Sequence, residues 1–429
     1  MIRSRSNVAC ILAIFVSMIL SVVAAAQVTI TYGTNNSLND LTACRAEAEA
    51  FMRSHPDIRV EVVGIGSTGD RILAAGMGGA LPDVFIVKEQ YWGMVKRSGF
   101  VLDLTDRVLR SGLRLSEFVP DHLEDVKMDG RFYGMPAQGY GSEGVELMAY
   151  NKDFFDRAGL AYPTDDWTWD EFVAISRKLT RRSGDQVELW GNTVGQPTNR
   201  HSLRWFLYAF GASVVDPVNN TTGLTSSQAL QAVQLADDLV TVYGVSPPLA
   251  GRGTGPFLAG QTAIFGGGRS DIQAAIEESG YRVGVVMTPK GLEGARMDFL
   301  YPPHVWAISK ESRYPDEAWI FLKWLLEDPE PVTIRAQVNT YATVPMISNI
   351  RVFERTLPSH LREEWWPAIR RYQPIRRKHD RLGGVEDTLF AKISAQLKVF
   401  YAGEQSLANA VANIRTEIES MLREEGLIR

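Results

Sequence analysis

Only two cysteines, Cys10 and Cys44, occur in 429 residues, too few for a disulfide framework. The six histidines (His55, His122, His201, His304, His360 and His379) show no pair at metal-ligand spacing, and no serine sits in a nucleophile-elbow pattern. Glu143 and Glu146 stand three apart in an expected strand, which sends them to opposite faces and makes them poor partners for paired acid–base work. Basic residues do not outnumber acidic ones (45 against 50), which argues against a nucleic-acid partner. No low-complexity tract interrupts the chain, and no long apolar run follows residue 26. Neither a metal, a cofactor nor a catalytic constellation is expected.

What is present begins with the N-terminus. Arg3 and Arg5 precede an apolar run from Val8 to Val23, and Ala24, Ala25 and Ala26 are the small residues a signal peptidase requires. Residues 1–26 are expected to be a signal peptide cleaved before Gln27, giving a periplasmic protein. A retained anchor is the other reading, against which the run is short for a spanning helix. No cysteine follows the site, so no lipid anchor is expected. Cleavage takes Lys plus Arg from 45 to 43 and leaves 50 acidic residues, so the charge moves from −5 to −7. It also removes Cys10, leaving Cys44 alone on the apolar face of Leu41, Ala48 and Met52, where it reads as a small core residue.

Past Gln27 the chain is too long for a single core. Val28, Ile30 and Tyr32 alternate as a strand, a helix runs to about Arg53, and Ile58, Val60 and Val62 alternate again. A helix near Arg71–Met77 and the continuous apolar run Val84–Val87, fit for a central strand buried on both faces, follow. Strand, helix, strand, helix, strand with short links implies a parallel α/β layer. The pattern recurs: strands over Val187–Thr193, Ala263–Phe265, Tyr281–Met287 and Tyr301–Ser309, with helices over His201–Phe210, Ser227–Tyr243, Pro315–Leu326 and about Ser406–Arg423.

Open α/β sheets place ligands at the carboxyl ends of their strands. That rule selects Asn35, Asn36, Ser67, Glu89 and Gln90 in the first half and Gly268 and Arg269 in the second. Gly64–Gly69 matches the glycine spacing of a dinucleotide loop, with Glu89 as the acidic residue, but it follows the second strand of an exported chain. A ligand-facing loop or a plain turn suits it better. Arg269 offers a planar fork for hydroxyl pairs or an anion, or else decorates the first turn of a helix. The basic run Arg370, Arg371, Arg376, Arg377, Lys378 and Arg381 reaches the cleft, with Arg376 as its candidate contact, docks a partner, or is simply solvated. Ten Trp, 14 Tyr and 18 Phe supply flat rings, although Trp205, Trp319 and Trp324 sit in expected helices and read as core.

The stretch Arg131–Thr180 is the most specific. Thr168 and Glu171 form a capping box, flanked by Trp167 and Phe172 as a hydrophobic staple, and Phe172, Ile175 and Leu179 share one face. Tyr150, Asn151 and Lys152 end a strand just before it, and Tyr140 and Gly141 lie on the glycine-bounded crossing. This stretch resembles the hinge-crossing segment of extracellular solute-binding proteins of the sugar-binding type, and the order of elements resembles that family's fold over essentially all of residues 27–429. The resemblance implies a two-lobe type 2 periplasmic binding fold, each lobe a three-layer α/β sandwich. The N-lobe would take 27–137 and 298–344, and the C-lobe 138–297 and the terminal helices of 345–429. Crossings would lie near Pro136–Gly144, Thr288–Leu300 and Thr343–Ser348. It adds His304 and Tyr341 as cleft residues. Where many relatives carry a stacking tryptophan this chain has Arg269, which leaves open a neutral sugar or an acidic one. The implied function is capture of a carbohydrate or polyol by a monomeric binding protein that serves an ABC permease, without catalysis. A secreted carbohydrate-active enzyme and a sensory or scaffold protein on the same fold are the rival readings.

Overall fold

The computed structural model describes residues 27–34, 37–66, 68–139, 147–216, 218–249, 254–291, 298–300, 303–338, 344–372, 376–378, 382 and 385–429, with backbone alone at 269–270, 298–300, 369, 371–372 and 376–378. Along the first stretch run β1 (Val28–Thr34), α1 (Leu38–Ser54), β2 (Ile58–Gly64), α2 (Gly69–Met77), β3 (Val84–Val87), α3 (Glu89–Arg97) and β4 (Met135–Pro136). Then come β5 (Leu147–Asn151), α4 (Trp169–Leu179), β6 (Arg181–Ser183), β7 (Gln186–Asn192), α5 (Arg200–Ala209), α6 (Ser227–Thr241), β8 (Thr262–Gly267), α7 (Arg269–Glu278), β9 (Val283–Val286) and β10 (Asp298–Leu300). The rest is β11 (Val305–Ile308), α8 (Pro315–Glu327), α9 (Pro329–Gln337), α10 (Ser359–Tyr372), β12 (Arg376–Lys378), α11 (Glu386–Tyr401) and α12 (Leu407–Glu424), with shorter helices between.

Two five-stranded sheets divide these elements, in the orders β2-β1-β3-β11-β4 and β9-β5-β8-β7-β6. In the first, β1 pairs parallel with β2 and β3, while β11 returns antiparallel to β3 and brings residues beyond 300 into the same layer. The run Val84–Val87 is central, as its unbroken apolar character requires, and its side chains are buried except for partly exposed Ile86. In the second, all five residues of β5 are buried. Met148 and Tyr150 join a core on one face, and Leu147 and Ala149 a separate core on the other. Helices α11 and α12 belong to this second lobe, since Leu389, Ile393, Ile414 and Ile418 pack into the Met148 core.

The local signals near residue 168 operate as written. Thr168 Oγ1 accepts from Glu171 N at 3.3 Å, Glu171 Oε2 accepts from Thr168 N at 2.8 Å, and the Trp167 and Phe172 rings meet edge-on at 5.6 Å. Residues 298–300 pair in parallel with 376–378, and this ribbon lies beside α5 of the second lobe.

The lobes adjoin where β4 ends. A Cβ on Gly139 would stand 2.8 Å from the carbonyl oxygens of both Val344 and Pro345, so the stretches leaving β4 and following 343 run together, and only glycine fits. Helix α9 straddles both lobes. Its Arg335 is buried against Glu47 of α1 at 2.6 Å, with the Tyr32 hydroxyl at 3.1 Å and Asp40 at 4.0 Å, while Val332 and Ala336 enter the core of the second lobe. Cys44 lies 3.4 Å from the same guanidinium; burial pushes its thiol up to about 11, so it is an unreactive core residue at neutral pH.

Candidate functional site

The site starts where β3 ends. Lys88 is extended and caps α3, which places Glu89 in the first turn, where the positive end of the helix favours a carboxylate. Register brings the partner. Val305 of β11 lies opposite Val87, so His304, one residue before, arrives beside the start of α3. His304 Nε2 stands 3.0 Å from Glu89 Oε2, and both side chains are 9% exposed. With its amide nitrogen turned inward, Gln90 reaches the two Glu89 oxygens at 2.9 and 3.2 Å. Behind them, Gln138 Oε1 accepts from His304 N at 3.2 Å, and Ala137 N donates to His304 O at 2.8 Å. Buried Gln138 Nε2 has no hydrogen-bond partner among the described residues, which leaves a donor for ligand or water.

The second lobe answers with cations and further carboxylates. Asn199 caps α5 by accepting from Ser202 N, and Arg200 opens the helix. Its guanidinium lies 3.8 Å from Glu89, 3.2 Å from Glu386 and 2.9 Å from Asp387, the last two on the first turn of α11. Arg204, one turn on and fully buried, pairs with Glu386 and lies over the Phe390 ring at 5.0 Å. The Tyr91 hydroxyl reaches Asp387 at 3.5 Å. Burial raises the Glu89 pKa, but the hydrogen bond and charge of His304, with the charge of Arg200, outweigh it and hold the carboxyl at about 2. Glu89 is therefore ionised at neutral pH. Three carboxylates face two guanidiniums here.

Of the residues expected from sequence, Glu89, Gln90 and His304 come together in direct contact. Gly268 lies at the end of β8, where its N–H donates to Asp271 at 3.1 Å. Because β8 runs parallel to β7, that end shares an edge with the loop leading to Arg200. Arg269 is the first residue of α7 and Arg376 the first of β12, and only their backbones are described. Asn35, Asn36, Ser67, Tyr140, Gly141 and Tyr341 lie outside the described residues. The cation that faces Glu89 among the described side chains is Arg200, at 3.8 Å, which the strand-end rule does not select. Gln138, Tyr91, Glu386 and Asp387 are likewise not selected from the sequence. The strand-end rule that selects Gly268 would have reached Arg200, had the long 193–199 connection been counted as part of the β7 end. Nothing local marks Glu386 or Asp387. Among the described residues no group of His, Cys, Asp and Glu could hold a metal ion, and no helix is long and apolar enough to cross a membrane.

Two sheets of this topology, with a polar cluster drawn from both halves, define a two-lobe ligand-binding protein. The sequence pattern of the family described as bacterial extracellular solute-binding protein matches residues 35–330, and the chain belongs to that family. It is similar to a binding protein of Brucella abortus (strain 2308), 27% identical over 221 residues, 49% of this chain and 50% of that one. A maltotriose-binding protein of Pyrococcus abyssi is 23% identical over 324 residues, 74% of this chain and 66% of that one. The chain thus spans about half the length of the first relative and about two thirds of the second. In fold it matches an ABC substrate-binding protein from Listeria monocytogenes in complex with cycloalternan, with TM-score 0.76, 21% identity, and 92% and 99% of the two chains covered.

Proposed function

We propose that this chain is the exported binding component of an ABC importer, capturing a neutral carbohydrate between its lobes and delivering it to a membrane permease. The observation that carries the reading is the polar cluster spanning both lobes: Glu89, Gln90 and His304 on one side, Arg200 and Asp387 on the other. A sugar presents hydroxyls that both donate and accept. Carboxylates, an amide, an imidazole and a guanidinium held in fixed positions match that demand. Maltotriose and cycloalternan, the saccharides bound by two similar proteins, support the ligand class. Ligand would shift an existing open–closed equilibrium by its greater affinity for the closed form.

Neutral rather than acidic ligands follow from the charge count. Glu89, Glu386 and Asp387 already draw on Arg200 and Arg204, so the described cluster has no surplus cation for a carboxylate or phosphate. The test is calorimetric titration of maltotriose, other neutral oligosaccharides, uronic acids and sugar phosphates, each followed by a check for product. Binding of a neutral sugar without turnover is expected. Preference for an anionic sugar would refute the charge argument, and turnover would refute the binding-protein reading. Arg269→Ala separates the remaining possibility: a loss of about tenfold or more for the bound sugar puts that guanidinium in the site, and less than about twofold puts it outside.

A further inference from the structure

Helix α3 does more than present Glu89. Across its nine residues, about 12 Å of axis, it meets three helices of the other lobe. At its start Glu89 faces Arg200 of α5. One residue past Gln90, Tyr91 reaches Asp387 of α11 at 3.5 Å. At its last residue, Arg97 lies 2.9 Å from Glu425, the residue that ends α12. The first two contacts belong to the polar cluster. The last is a helix length away from it.

Glu425 is placed where its own helix disfavours it. A carboxylate at a helix C-terminus meets the negative end of the backbone dipole, whereas an arginine at the C-terminus of α3 is favoured there. Bringing Arg97 to Glu425 relieves the unfavourable arrangement, and the relief is available only while the lobes are together. The carboxylate is 22% exposed and the guanidinium 50%, so the pair is partly screened but not lost to solvent. Beyond this, α3 has Trp92 and Lys96 anchored within its own lobe to the carbonyls of Asp125 and Lys127, at 2.7 to 3.0 Å. Held so on one side, the helix cannot follow α12 when the lobes part, and the contact must break.

We infer that Arg97 and Glu425 form an interlobe clasp that sets the population of the closed form, and hence ligand affinity, without touching the ligand. This rests on the reading that the lobes close around their ligand, so the first readout needs no ligand. Small-angle scattering of the ligand-free protein should show a larger radius of gyration for Arg97→Glu and for Glu425→Arg than for the wild type, and recovery in the double charge swap. Circular dichroism and the midpoint of thermal unfolding verify that each variant is folded. The neutral variant Glu425→Gln should fall between wild type and reversal. For a sugar that binds, the single reversals should weaken affinity about threefold to tenfold and the swap should restore it to within about twofold. If the single reversals scatter as the wild type does, or the swap fails to restore either quantity, the clasp is refuted. Failure of every sugar to bind would instead count against the proposed ligand and leave the scattering result decisive for the clasp.

Discussion

Glu89→Gln is the most informative single perturbation. It keeps the shape and one acceptor while removing the charge that His304, Gln90 and Arg200 surround. The carboxyl is held at about 2 against an ordinary 4.5, a displacement that converts to about 3 kcal/mol at 1.36 kcal/mol per unit. A glutamine retains part of that through neutral hydrogen bonds, so the expected loss at pH 7 is about 1.5–3 kcal/mol. Arg200 is not orphaned, because Glu386 and Asp387 remain at 3.2 and 2.9 Å. The pH dependence has a fixed sign. A group whose folded pKa is depressed stabilises fully above its unfolded value and loses that contribution as pH falls toward the folded one. The wild-type advantage should therefore be complete above about pH 5, reduced by pH 3.5 and nearly gone by about pH 2. Urea unfolding of both proteins at pH 7, 5 and 3.5 measures it. A difference that is the same at pH 3.5 and pH 7, or below about 0.5 kcal/mol at pH 7, would refute the reasoning.

Arg335→Met should cost about 3–5 kcal/mol, because it removes the cation that stands 2.6 Å from the Glu47 carboxylate in a dry interior, and Glu47→Leu in the same chain should recover part of the loss. Gly191→Ala should destabilise by about 1–3 kcal/mol in urea unfolding, since a Cβ there would stand 2.2 Å from the backbone carbonyl oxygen of Ser176. Intact-mass measurement of protein recovered from the periplasm should give a chain beginning at or within a residue or two of Gln27; retention of residues 1–26 would overturn the cleavage site.

Much of the scaffold is written locally. The helix over 169–179 is legible because its cap, its staple and its apolar face all occur within a dozen residues and agree. The central position of Val84–Val87 is legible because burial on both faces leaves no room for polar alternation. Helices that start or end at a proline or glycine are placed to within a residue or two, as Pro315–Glu327 illustrates.

The site is half legible. Glu89, Gln90 and Gly268 follow from strand ends, and His304 from the resemblance. What the sequence withholds is pairing over distance. Asp387 meets Tyr91 across 296 residues and Arg200 across 187, contacts set by how the terminal helices pack on the second lobe. Arg200 itself escapes because its loop is seven residues long, and a strand-end rule weakens with every residue of connection. The ribbon of 298–300 with 376–378 shows the same limit, since neither segment signals the other.

On the proposed reading a neutral sugar sits between the lobes, held from both sides. A crystal structure with the tightest-binding neutral sugar from the titration tests it most directly. Expected is density for one saccharide contacting the Glu89, Gln90 and His304 group on one lobe and the Arg200 edge, which Gly268 shares, on the other. Density confined to one lobe or lying outside the cleft, or an empty cleft at a concentration that saturates the protein in solution, would contradict it.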